Sequence, residues 1–112
     1  MYLTIDAGNT RTKAVVYDAA GLTWDSITAE GNELAPIKEL IRRHSVEHVI
    51  VSTTGVREWK LSELGIKGKN IELNHEVPLP IRIVYSTPET LGQDRIAAAC
   101  GAQAYYPGKN CL

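Results

Sequence analysis

The first residues alternate between short apolar runs and polar clusters, with a period of two. Tyr2–Ile5 and Thr12–Tyr17 read as two paired strands, joined by a polar hairpin that runs from Asp6 to Lys13. Asp18-Ala19-Ala20-Gly21 is a turn signal, and Leu22–Thr28 alternates well enough for a third strand in an antiparallel meander. The period then changes. Leu34, Ile37, Leu40 and Ile41 recur at helical spacing behind Asn32, a candidate N-cap, and this helix is expected to end near His44. Glu47–Val51 is a short apolar strand of the buried type, followed by a loop at Ser52-Thr53-Thr54-Gly55.

Trp59, Leu61, Leu64 and Ile66 predict a short helix closed by Gly65. A weak strand follows at Ile71–Leu73. Beyond a connection stiffened by Pro78 and Pro80, another strand is expected at Ile81–Tyr85. Thr87-Pro88 has the form of an N-cap with proline at the first helical position, and Arg95–Tyr105 is an alanine-rich helix ended by Pro107-Gly108. Lys109–Leu112 has the form of a further strand onset. Three antiparallel strands followed by alternating helices and strands predict an α/β domain, a mixed sheet of the ribonuclease-H-like kind spanning 1–112. The stop at a strand onset reads as truncation.

Composition narrows the function classes. The chain has 112 residues, 44% of them hydrophobic, and a net charge of −1. That is enough for one domain with a core, and a poor match to a charge-driven nucleic-acid or membrane surface. No apolar run approaches the roughly 20 residues of a membrane span, and no secretory signal is visible. Cys100 and Cys111 lack metal or disulfide spacing and read as buried or half-buried thiols, which makes a cytoplasmic location the default. His44, His48 and His75 share no spacing and read as surface or structural residues. Trp24 and Trp59 read as core or interface anchors, and Lys67–Asn70 as a solvated turn.

The candidate chemistry lies in two stretches. In Asp6-Ala7-Gly8-Asn9-Thr10-Arg11-Thr12-Lys13, a glycine permits close backbone approach to a phosphate. Asn9, Thr10 and Thr12 offer side-chain donors, Lys13 a compact positive charge, and Asp6 a carboxylate able to hold Mg²⁺ through water. A plain turn would account for Gly8 and Asn9, but leaves Asp6, Thr10 and Lys13 unexplained as a group. The second stretch, Thr87–Ala99, contains Gly92-Gln93-Asp94-Arg95 opening a helix. Read from the residues alone, Asp94 is an N-terminal helix carboxylate that complements the dipole, and Arg95 its neighbour in a pair on a solvated face.

Together, in this order and spacing, these motifs resemble the N-terminal half of a type III pantothenate kinase, a family of the acetate and sugar kinase, Hsp70 and actin superfamily. The resemblance spans essentially the whole chain. It implies transfer of a phosphoryl group from ATP to pantothenate, giving 4′-phosphopantothenate in the first step of coenzyme A synthesis. It assigns Asp6 to Lys13 to ATP, Asp94 to the general base, and Tyr85, Gly92, Gln93, Asp94 and Arg95 to the substrate. For Tyr85, half-buried packing accounts for the residue nearly as well. The resemblance also implies Mg²⁺, a monovalent cation (K⁺ or NH₄⁺) and a homodimer with its active site at the interface. Two departures stand out: Gln93 where the family commonly has alanine, and Ser52–Gly55 where Ser-Val-Val-Pro is usual. The second phosphate motif, with the monovalent-cation aspartate, is not in these 112 residues, so the chain alone is expected to be inactive and to bind ATP weakly. A non-catalytic accessory or protein-interaction domain is the alternative. Gly92–Arg95 argues against another sugar kinase or ATPase of the superfamily.

Overall fold

The computed structural model describes residues 1–55, 57–84 and 86–108. Its elements run β1 (Tyr2–Ala7), β2 (Arg11–Tyr17), β3 (Thr23–Glu30), α1 (Ala35–His44), β4 (His48–Thr53), β5 (Asn70–Glu72) and α2 (Gln93–Tyr105). Short 3-10 turns lie at Leu61–Leu64 and Pro88–Thr90. The strands form one sheet in the order β3-β2-β1-β4-β5. The β1–β2 and β2–β3 pairs are antiparallel; β1–β4 and β4–β5 are parallel. This is the mixed α/β sheet that the pattern of elements predicts.

The alternation of side chains across the pleat explains the layers. Leu3 and Ile5 of β1, Ala14 and Val16 of β2, and Val49 and Val51 of β4 share one face and pack with Ile37 and Leu40 of α1, Trp59 and Leu64. The opposite face carries Thr4, Asp6, Lys13, Val15, Ile50 and Ser52, which meet Asp94 and Ala97 of α2. The helices therefore lie on opposite sides of the sheet.

Several expectations are corrected. Helix α1 starts at Ala35 with Leu34 at the cap, not Asn32, because Pro36 supplies the pre-set φ of a first helical turn. Strand β3 extends to Glu30, and β5 is Asn70–Glu72, shifted by one residue from expectation. Ser52 and Thr53 belong to β4 and not to a loop, because they pair with Asp6 and Ala7 of β1. Residues 81–84 form no strand: Pro78 and Pro80 remove ladder donors just upstream, and Val84 is exposed. Thr87-Pro88 opens a separate 3-10 turn rather than the long helix, which begins at Gln93. Trp24 is exposed and donates through Nε1 to Asp18 Oδ2 at 2.9 Å, whereas Trp59 is buried in the core. Cys100 is half-buried on α2, and burial pushes its thiol pKa up. Tyr85 and the strand onset at Lys109–Leu112, with Cys111, lie outside the described residues. Among the described residues, no helix is long and apolar enough to cross a membrane.

Candidate functional site

The sheet register places the polar residues. Asp6 pairs with Lys13 across the antiparallel β1–β2 ladder and with Ser52 across the parallel β1–β4 ladder. All three project from the face opposite α1, so a cation, a carboxylate and a hydroxyl sit side by side on neighbouring strands. Asp6 and Lys13 therefore stand on the strands rather than in the turn; the turn itself is Gly8, Asn9 and Thr10. No ion pair joins Asp6 to Lys13 among the described residues, so both remain directed at the space above the sheet.

That space is a cavity of about 340 Å³, whose polar lining is Thr4, Asp6, Lys13, Ser52 and Asp94, with Ile50, Leu73 and Ala97 among its apolar walls. Asp94 reaches it from the first turn of α2. Its Oδ1 accepts the Arg95 backbone N–H at 2.9 Å, which draws the carboxylate back over the helix start. A Cβ on Gly92 would lie 2.7 Å from that same Oδ1, so the glycine leaves the space that the carboxylate occupies. Arg95 is exposed beside it.

The remaining residues of the hairpin divide. Asn9, Thr10 and Arg11 are exposed at its tip. A Cβ on Gly55 would meet Asn9 Oδ1, so the segment after β4 lies close against the turn. Ala7 and Thr12 face the other way, into the core. The Thr12 hydroxyl donates to Gly31 O at 2.7 Å, so it is committed to holding the end of β3, not to a ligand above the sheet. The Gly8 N–H is likewise spent inside the turn, donating to Arg11 O at 2.9 Å. These two donors drop out of the expected phosphate contacts.

Gln93 does not face the cavity. Its Oε1 accepts the Thr53 backbone N–H at 2.8 Å, tying the start of α2 to the end of β4.

Two residues escape a reading of the sequence. Ser52 is buried, and its Oγ has no hydrogen-bond partner among the described residues. The alternation of Val49 and Val51 would have put it on the Asp6 face, had the strand been extended past Val51. Arg57 carries no local signal at all. Its guanidinium bonds Trp59 O at 2.8 Å and Thr53 Oγ1 at 3.0 Å, pairs with Glu72 at 3.1 Å, and lies 4.8 Å from the Trp59 ring centroid. It braces the ends of β4 and β5 from the α1 side of the sheet, opposite the cavity.

The site fits a magnesium–phosphate group better than a protein-built metal cage. Among the described residues no three metal-ligating side chains are grouped. Mg²⁺ bound to a nucleotide commonly takes only one or two protein carboxylates, with waters and phosphates filling the rest of its shell, and Asp6 could supply one.

Comparison with known proteins identifies the family. The type III pantothenate kinase family model matches residues 2–112. Proteins named type III pantothenate kinase from Bacteroides fragilis and Cytophaga hutchinsonii are 32% and 35% identical to the chain, covering all of it and 46% of their own lengths. One from Flavobacterium johnsoniae is 35% identical over all of this chain and 47% of its own length. The chain thus spans about half the length of the curated relatives it matches. A match over 2–112, on a sheet that brings Asp6, Lys13 and Asp94 to one cavity, places the chain in the type III pantothenate kinase family.

Proposed function

We propose that this domain supplies the phosphate-gripping hairpin and the catalytic base of an enzyme that phosphorylates pantothenate with ATP, yielding 4′-phosphopantothenate for coenzyme A synthesis. The observation that carries the reading is the meeting of Asp6, Lys13 and Asp94 at one cavity, from residues as far apart in sequence as a first strand and a last helix. About 340 Å³ is at the small end of ligand sites. It suits a terminal phosphate and the alcohol end of an acceptor, with the rest of the nucleotide outside.

Phosphoryl transfer depends on positioning and charge neutralisation more than on covalent chemistry from the protein. Lys13 neutralises the terminal phosphates as a point charge. The exposed hairpin tip, with Asn9 and Thr10, donates to phosphate oxygens. Asp6 would hold Mg²⁺, and the ion would offset phosphate charge. Asp94 accepts the proton of the attacking primary hydroxyl. Arg95, exposed next to it, takes the pantothenate carboxylate with its planar fork. Use of K⁺ or NH₄⁺ and assembly as a homodimer belong to the same proposal and rest on the family resemblance.

The test is Asp94→Asn in the full-length protein. The amide is isosteric and cannot take the proton. Turnover of pantothenate, followed by ADP release, is expected to fall roughly 10²- to 10⁴-fold, with an unchanged circular dichroism spectrum. Wild-type turnover in a folded variant would remove Asp94 from the chemistry.

A further inference from the structure

Asp94 does its work from a helix that is thinly attached to the sheet. Among the described residues, Ile96 is the one fully buried side chain of α2, and the helix cap at Gly92 has no side-chain hydrogen bond. The described residues of the preceding segment, from Asn74 onward, add no strand to the sheet. One polar contact anchors the start of the helix: Gln93 Oε1 accepting from Thr53 N at 2.8 Å.

Strand geometry explains why that contact is available. On the β5 side of β4, Val49 N donates to Lys69 O at 2.9 Å and Val51 O accepts from Leu73 N at 2.8 Å. Thr53 is the next residue in this series, but β5 has ended at Glu72. Its N–H would be left without a partner at the sheet edge, which buried backbone does not tolerate cheaply. The Gln93 amide fills the missing rung. Because the donor is a backbone N–H, the atom facing it must be the oxygen. Gln93 and Ile96 are spaced i, i+3, so the hydrogen bond and the buried side chain act on one face of the helix, and Asp94 is carried between them.

We propose that Gln93 is a positioning residue: it clasps α2 to the end of β4 and thereby sets where Asp94 stands over Asp6 and Lys13. This rests on the role of Asp94 proposed above. It also replaces the expectation that the Gln93 side chain contacts substrate.

The experiment compares Gln93→Met, which keeps length but has no acceptor, with Gln93→Glu, which keeps the acceptor, in the full-length protein. Two readouts are taken: hydrogen–deuterium exchange at the Thr53 amide, and steady-state kinetics with pantothenate and ATP. Gln93→Met is expected to speed Thr53 exchange by about tenfold or more and to lower kcat roughly ten- to a hundredfold. The KM for ATP and the urea midpoint of global unfolding should hold. Gln93→Glu should keep Thr53 protected and restore most of kcat. Unchanged Thr53 exchange in Gln93→Met overturns the clasp. Faster exchange with unchanged kcat overturns its role in positioning Asp94. Failure of Gln93→Glu to restore kcat, with a raised KM for anionic pantothenate, returns Gln93 to a substrate contact. If the wild-type protein does not phosphorylate pantothenate, the functional reading fails, and the exchange at Thr53 still decides the clasp.

Discussion

Asp25 of β3 accepts hydrogen bonds from two side chains in the last turn of α1, Arg43 Nη1 and His44 Nε2, each at 2.8 Å. The His44 bond, then the Ser26 backbone N–H and Arg43, hold its carboxyl below the ordinary value of 3.8. A carboxyl lowered in the folded state stabilises the fold above its unfolded pKa, and that contribution is lost as pH falls through the folded value. The urea midpoint of Asp25→Asn should therefore lie below that of wild type near neutral pH, with the two converging below about pH 4. A gap that stays constant down to about pH 3 would contradict this. The same scale shows which site residues the sequence could reveal. Asp6 and Lys13 were legible as candidates because residue type and motif point the same way, and the structure brings both to one cavity. Thr12 alternates in phase with Ala14 and Val16 on the core face, and the bond from its hydroxyl to Gly31 O joins residues too far apart in sequence for a local pattern to reveal. Ser52 and Arg57 were missed because their relevance depends on register and on contacts distant in sequence.

Helix α1 was legible as an element because Ile37 and Leu40 fall on one stripe, and both are fully buried against the sheet. Leu40→Ala should cost about 2–5 kcal/mol of unfolding free energy by urea titration, since a large buried side chain leaves a cavity. Arg42→Ala, on the exposed side and paired only with Glu39, should cost within roughly 0.5 kcal/mol. Similar losses for the two would contradict this placement of the helix. The expected strand at Ile81–Tyr85 failed for a reason periodicity cannot see. Alternation supplies a face, but a strand also needs an edge to pair with, and residues 81–84 join no ladder. Polar Ser52 and Thr53 show the converse: they are strand because β1 offers an edge that long.

At the scale of the molecule, topology followed from the order of elements. Three antiparallel strands, a crossing helix and a parallel strand leave few sheets that can be built, and the observed order is one of them. What the sequence did not carry is how α2 returns to the face opposite α1, since that depends on one buried isoleucine and one glutamine bond. The proposed function depends on that return, because it brings the Asp94 carboxylate to the strands that carry Asp6 and Lys13. The most direct measurement is a crystal structure of the full-length protein with Mg²⁺, a non-hydrolysable ATP analogue and pantothenate. The account predicts the terminal phosphate between Lys13 and Asp94, and the pantothenate primary hydroxyl within hydrogen-bond reach of the Asp94 carboxylate. A nucleotide bound away from the hairpin, or an acceptor hydroxyl out of reach of Asp94, would contradict it.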